Sequence, residues 1–213
     1  MPMQTKFRER LRALYASAPR DEYFDAVRAA ISDCYLEDPS NPYRQSGRSS
    51  GAGRWIETRG CIAQAVHRDG DFLDVGCANG LLLECLIAWT AARGIGIRPH
   101  GIDFVPQLVE LARQRLAPYC GSFEVANAFY WTPSRRFDFV RTNLEYVQRG
   151  DWPEFLARQY SAVADGGRLI VCHYRNQDDA PVEVASILRR LGFAVVGQAQ
   201  APGTSVVWCE RGD

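Results

Sequence analysis

Apolar and polar positions change period twice along the chain. Between residues 21 and 37, Tyr23, Phe24, Val27, Ala30, Ile31, Cys34 and Tyr35 recur at three- and four-residue steps. That is the stripe of an amphipathic helix, with Asp21 placed to cap its start. Residues 4–17 carry the same period. The pattern breaks over "EDPSNPYRQSGRSSGAG", residues 37–53, where Pro, Gly and Ser predict a loop. A loop of that length is either functional or without fixed structure. Helical spacing returns over 54–67 through Trp55, Ile56, Ile62, Ala63 and Val66.

From residue 71 short apolar runs alternate with helical stretches. Strands are predicted at 71–77, 98–104, 122–128, 137–143, 168–174, 193–200 and 205–211. Helices are predicted at 80–93, 106–116, 152–164 and 180–191, with Pro106 opening its helix in the first turn and the turn "DGG" closing the 152–164 helix. Continuously apolar strands separated by helices indicate a mostly parallel sheet covered on both faces, an α/β fold. The last two strands are near enough in sequence to pair antiparallel. A chain of 213 residues, 46% apolar, suits one core. The expected organisation of 1–213 is therefore a single domain. Residues 1–53 form a helical cap and lid loop on a core made by 54–213.

The stretch "LDVGCANG", residues 73–80, passes from a strand through small residues directly into a helix. Such a turn sets bare backbone N–H groups and a positive helix end against a ligand. A phosphate-cradling loop would need Gly-Lys-Ser/Thr, which is absent. The dinucleotide fingerprint would need glycines at 76, 78 and 81, where the chain has Gly76, Ala78 and Leu81. Two acids stand out instead: Asp74, just before the turn, and Asp103, at the end of the next strand. A carboxylate at that second position can accept hydrogen bonds from both hydroxyls of a ribose. The expected ligand is a nucleoside without a pyrophosphate.

In order along the chain, "FLDVGCANG", "GIDF", "VANAF", "FDFVRTN" and "VADGGRLIV" resemble the successive motifs of class I S-adenosylmethionine-dependent methyltransferases, over roughly residues 55–211. "NPYRQSGRSSGAGRW" is also similar to a segment before the first motif in a group of small bacterial methyltransferases. The resemblance implies a Rossmann-like seven-stranded sheet of order 3-2-1-4-5-7-6, with strand 7 antiparallel. It also implies S-adenosyl-L-methionine as cofactor and S-adenosyl-L-homocysteine as product. Gly76, Cys77, Ala78, Asn79 and Gly80 match the motif facing the methionine half, beside Asp74. Asp103 matches the ribose-binding acid, and Phe104 is expected against adenine. Asn127 stands where the family has Asp, with its amide oxygen able to accept from the adenine amino group, and Ala128 and Phe129 flank the ring. Asn143, Leu144 and Glu145 follow the fourth strand and are expected to face the sulfonium and its methyl. The chain departs from the family at Ala78 and Asn127.

Methyl transfer needs alignment and exclusion of water, and a base where the acceptor is a hydroxyl. The candidates at strand carboxyl ends are Glu145, Tyr146 and His173 as catalytic groups, and Tyr174 and Arg175 as substrate contacts together with Glu145 and Trp55. Residues 40–59 hold Arg44, Arg48, Arg54 and Arg59 against Glu57. That excess is either a solvated face or a clamp for a carboxylate, with Tyr43 and Arg44 expected at the cofactor. "RR" at 135–136 reads as plain surface.

Lys+Arg and Asp+Glu balance at 25 each, which removes any whole-surface attraction to nucleic acid or anionic lipid. The 7 cysteines form no CxxC and the 3 histidines are scattered, so neither a metal site nor a disulfide framework is expected. A reduced, cytoplasmic chain fits, with no signal peptide and no run able to span a membrane. The expected function is methyl transfer to an O or N atom of a small molecule by in-line displacement. A methyltransferase acting on RNA or protein, or a non-catalytic cofactor-binding subunit, stays open.

Overall fold

The computed structural model describes residues 18–47, 51–174 and 182–212. The predicted helix at 4–17, and Arg48 and Arg175, lie outside the described residues.

Seven strands form one sheet: β1 (Gly70–Val75), β2 (Ile97–Asp103), β3 (Phe123–Val125), β4 (Phe137–Asn143), β5 (Val163–Tyr174), β6 (Val195–Ala201) and β7 (Thr204–Glu210). Their order is β3-β2-β1-β4-β5-β7-β6, as expected. The first five pair in parallel, and β7 runs antiparallel to both β5 and β6. The chain winds outward from β1 through β2 to β3, then returns to build β4 and β5 on the other side. The reversal opens a crevice between the carboxyl ends of β1 and β4, where ligands dock in such sheets.

Among the described residues, six helices flank the sheet: α1 (Arg20–Tyr35), α2 (Gly51–Arg59), α3 (Leu81–Ala91), α4 (Pro106–Arg115), α5 (Trp152–Ser161) and α6 (Val184–Arg190). Side chains alternate across each strand, so the core has two halves. On one face Phe72, Phe139 and Ile170 pack with Trp55 of α2, Leu83 and Leu86 of α3, and Val109 of α4. On the other, Leu73, Val75, Val140 and Leu169 pack with Tyr23 and Phe24 of α1, Phe155 and Leu156 of α5, and Leu188 of α6. Each such apolar side chain contributes about 1.5–3 kcal/mol by leaving water. No helix of the described residues is long and apolar enough to cross a membrane.

The sequence-based boundaries shift where local chemistry competes with the pattern. The cap of α1 is Pro19, without a side-chain bond, and Asp21 sits inside the first turn accepting the Tyr130 hydroxyl at 2.6 Å. The helix expected over 54–67 begins already at Gly51 and ends at Arg59, and a 3₁₀ turn over Gly60–Ala65 follows. The strand expected over 122–128 stops at Val125, because the Asn127 side chain accepts the Phe129 N–H and bends the edge away. "DGG" does not close a helix. It lies within β5, where Gly166 turns through φ +67°.

Candidate functional site

The turn after β1 is built by alternating left-handed residues: Gly76 (φ +75°), Ala78 (φ +48°) and Gly80 (φ +76°). Glycine takes this conformation freely, whereas Ala78 bears about 1–2 kcal/mol of strain for it. At Gly76 a side chain is excluded twice over, since a Cβ there would lie 2.4 Å from Cζ of Tyr146. The N–H groups of Gly76 and Cys77 tie the turn to the Ile102 carbonyl at 2.8 and 3.0 Å, and that of Ala78 donates to Oδ2 of Asp103 at 2.9 Å.

Asp103 closes β2. Its Oδ1 accepts the N–H of Val105 at 2.9 Å, so each carboxylate oxygen holds one backbone bond and keeps a lone pair. Only 7% of the residue is exposed. Burial pushes its carboxyl up to about 6 against the N–H groups of Val105, Ala78 and Phe104, and the charge of Asp74 adds to the rise.

Asp103 lies on the wall of a cavity of about 590 Å³ across the carboxyl edge of the sheet. Phe104, Ala126, Asn127, Ala128 and Phe129 line its β2–β3 end. Asp74, Gly76, Cys77 and Ala78 form its floor, and Tyr23, Phe24, Val27 and Tyr35 of α1 roof it. Arg59, Asn143, Leu144, Glu145, Tyr146, His173 and Tyr174 line its β4–β5 end. The charges of Asp103, Arg59 and Glu145 all act on the Tyr35 hydroxyl of the roof.

The β4–β5 end is rigid. Asn143 accepts the Glu145 N–H at 3.1 Å, which turns the chain at the end of β4, and Trp152 donates to the Leu144 carbonyl at 3.0 Å. Glu145 Oε1 then accepts the Tyr174 N–H at 2.9 Å and lies against Nδ1 of His173. Glu145 Oε2 and both ring nitrogens of His173 are buried with no hydrogen-bond partner among the described residues. The two expected catalytic groups therefore form a pair, each with a polar atom unused.

Beneath them is a buried network absent from the expectations. Arg141, on β4 in register with Asp74 on β1, donates from Nη1 to Asp74 Oδ1 at 2.9 Å and to the Tyr146 oxygen at 3.2 Å. Its Nη2 donates to the Tyr174 oxygen at 2.7 Å, and the Tyr146 hydroxyl donates to the Gly76 carbonyl at 3.2 Å. Burial pushes Asp74 up to about 6, with Arg141 pulling against it.

Several expected roles change accordingly. Tyr146 was a candidate base, but burial drives its phenol far above the ordinary range and both of its hydrogen-bonding directions are used, so it holds the turn. Tyr174 anchors Arg141 with its hydroxyl and supports the Arg59 guanidinium, 3.5 Å above its ring. Asp74 faces Arg141 as an ion partner. The Asn127 oxygen already accepts the Phe129 N–H at 3.0 Å, which leaves the amide NH₂ as its free donor toward the cavity.

Tyr43 and Arg44 do not reach the cavity wall. Tyr43 packs edge-on to Trp55, and Arg44 pairs with Glu37, seven residues back along the chain. The lid contacts are Ser46 and Gly47 instead. Asn79 and Gly80 are likewise off the wall. Asn79 donates to the Pro42 carbonyl and to Gln45 Oε1, both at 3.0 Å, and so fastens the lid to the turn. Arg135 and Arg136 pair with Asp71 and Asp165 at the surface.

Missed by the sequence reading were Arg141 and the burial of Arg59. Arg141 carried a signal: an arginine inside the apolar run "FDFVRTN" needs an acid at the same depth, and "FLDV" supplies one.

With that geometry in place, comparison with known proteins is informative. A sequence profile of the methyltransferase domain family matches residues 72–167. A trans-aconitate 2-methyltransferase of Methylobacterium radiotolerans is 32% identical over 99 residues, 46% of this chain and 36% of that enzyme. The match thus spans little more than a third of the curated relative. Among solved structures, a 1,6-didemethyltoxoflavin N1-methyltransferase of Burkholderia thailandensis, with S-adenosylhomocysteine and 1,6-didemethyltoxoflavin bound, superposes with a TM-score of 0.67 at 16% identity. The superposition covers 92% of each chain. The N-methyltransferase NodS of Bradyrhizobium japonicum with S-adenosylhomocysteine superposes at 0.62 and 16% identity, over 97% of this chain and 99% of that one. At that identity the likeness to solved structures is one of fold.

Proposed function

Because the chain belongs to the class I S-adenosylmethionine-dependent methyltransferase superfamily, we propose that it binds S-adenosylmethionine along the carboxyl edge of its sheet. The reaction in this reading is methyl transfer to an O or N atom of a small molecule. The observation carrying it is Asp103: a buried carboxylate on a cavity wall, with a lone pair remaining on each oxygen. A sugar with two adjacent hydroxyls matches that donor requirement. In this reading Phe104, Ala126, Ala128 and Phe129 bracket the base, and Asn127 donates to it. The small side chains of Gly76–Ala78 leave room for the amino-acid half against the turn, whose N–H groups are taken by the Ile102 carbonyl and Asp103.

S-adenosylmethionine, when bound, supplies a methyl group on a positively charged sulfur. The protein's own part is to position the acceptor and to manage its proton. Glu145 stands against His173 Nδ1 beside the cavity, and in this reading the pair takes up the acceptor's proton. The apolar roof from α1 excludes water from the acceptor half. Residues before 54 act in this reading as cap and lid, and 54–213 as the cofactor-binding core.

Two observations favour a small acceptor. The cavity, about 590 Å³ and roofed by α1, has to hold cofactor and acceptor together. The curated relative and the toxoflavin enzyme are also named for small molecules. All seven cysteines are free thiols, which suits a reducing cytoplasm.

Thermal unfolding with S-adenosylhomocysteine or NAD tests the cofactor, with a shift expected for the first alone. Stabilisation by NAD only would overturn the reading. Labelled-methyl transfer to a size-fractionated cell extract tests the acceptor. Label in nuclease- or protease-sensitive material would remove the small-molecule assignment.

A further inference from the structure

Arg59 ends α2 and projects over the β4–β5 end of the cavity. It is 6% exposed, and its Nη1 is buried with no hydrogen-bond partner among the described residues. No carboxylate pairs with it there. Its guanidinium lies 3.5 Å above the Tyr174 ring and 5.4 Å from that of Trp55, contacts that fix its plane without satisfying its N–H groups. The other arginine of the wall's interior, Arg141, is neutralised by Asp74 and spends both Nη groups on Asp74, Tyr146 and Tyr174, leaving only Nε without a partner. Arginine is almost never buried unpaired, because the loss of hydration goes uncompensated. A chain that keeps Arg59 in this state destabilises its empty form, and an anion entering the cavity removes the penalty.

We infer that Arg59 is the anchor for a carboxylate on the methyl acceptor, which makes the acceptor an organic acid. The inference rests on the methyltransferase reading and sharpens its substrate class. Three observations select the ligand. A planar guanidinium fork matches a planar carboxylate. With Asp74 and Arg141 cancelling, Asp103 and Glu145 already face the same space, so a single negative group is accommodated better than a phosphate dianion. Position favours the acceptor: Arg59 lies over the ring of Tyr174, next to His173 at the end of β5, with β1 and β4 between that strand and Asp103 on β2. It shares that end with Glu145 and His173, so anchor and base flank one acceptor.

The cofactor's amino-acid half also carries a carboxylate, so the experiment separates the two sources. S-adenosylhomocysteine and 5′-methylthioadenosine, which lacks the amino-acid carboxylate, are titrated calorimetrically into wild type, Arg59→Gln and Arg59→Lys. The complexes with S-adenosylhomocysteine are then titrated with trans-aconitate, succinate and benzoate and with their amides. In wild type we expect at least one acid to bind and its amide not to. Arg59→Gln should weaken that acid about 10- to 100-fold, the loss of one charge-assisted contact. Arg59→Lys should lie between, and both nucleosides should bind all three proteins within about twofold. Loss of S-adenosylhomocysteine affinity in Arg59→Gln with methylthioadenosine unchanged would give the guanidinium to the cofactor and overturn the proposal. So would an acid that binds no better than its amide, or an acid indifferent to the substitution. Failure of wild type to bind S-adenosylhomocysteine would instead defeat the methyltransferase reading itself. Folding is controlled by the unfolding midpoint of ligand-free Arg59→Gln, which should fall little, because only the two ring contacts are lost.

Discussion

The raised carboxyl of Asp103 gives the account its most quantitative consequence. Its ordinary value is 3.8 and burial brings it to about 6. At pH 7 the ionised group therefore costs the empty protein about 3 kcal/mol, the product of that difference and 1.36 kcal/mol per unit. The sign follows from the proton being held more tightly in the folded state. The stabilising share is complete below about pH 4 and disappears as pH rises through 6. Ligand binding has the opposite slope. A ribose donates both hydroxyls to the ionised carboxylate, so affinity for S-adenosylhomocysteine should be flat above pH 7. It should then fall about tenfold for each unit below 6. The groups around Asp103 are Asp74 from β1, the Tyr35 hydroxyl from α1 and the N–H groups of Ala78 and Val105. Asp74 is raised to the same range, and Asp103→Asn separates the two. That variant should lose two charge-assisted contacts, about 3–6 kcal/mol or 10²–10⁴ in affinity, and most of the pH slope. Calorimetry from pH 5 to 8 reads both. Equal wild-type affinity at pH 5 and 8, or binding by Asp103→Asn within threefold of wild type, would refute the reasoning.

Arg141→Met should destabilise the fold by about 3–5 kcal/mol at pH 7.5, by leaving Asp74 buried without its partner. Because the Asp74 carboxyl is already raised, the deficit should shrink at pH 5, and urea melts at the two pH values check this. Gly76→Ala should unfold or severely weaken the protein, because its Cβ would overlap the Tyr146 ring, whereas Ala78→Gly should cost no stability. Midpoints that rank the two the other way would contradict the turn as described. His173→Asn should lower turnover of a hydroxyl acceptor about 10²- to 10⁴-fold, and Glu145→Gln should lower it less, with nucleoside affinity unchanged in both. Unchanged kcat in both variants would remove the base assignment.

Strand order and the location of the site were legible because their signals are local. Unbroken apolar runs mark strands covered on both faces, and "GCANG" places the turn that receives a ligand. Glu145 and His173 could be named separately from their places just beyond β4 and at the end of β5. Arg141 and Arg59 could not be read so easily, because burial is set by other parts of the chain. Arg141 is silenced by an acid 67 residues away, while Arg59, one of four arginines in the lid region, was left without one by the packing of α2 on β5. The expected clamp residue Arg44 failed for a short-range reason, since Glu37 is within its reach. The early end of β3 follows from one side chain, Asn127, outcompeting the sheet for a backbone N–H.

The most direct measurement is the structure of a complex with S-adenosylhomocysteine. The account predicts the ribose hydroxyls within hydrogen-bond distance of both Asp103 carboxylate oxygens and the base between Phe104 and Ala128. It also predicts sulfur directed to the side where His173 and Arg59 meet. A nucleoside seated elsewhere, or a cavity that stays closed by its own side chains at saturating ligand, would contradict it.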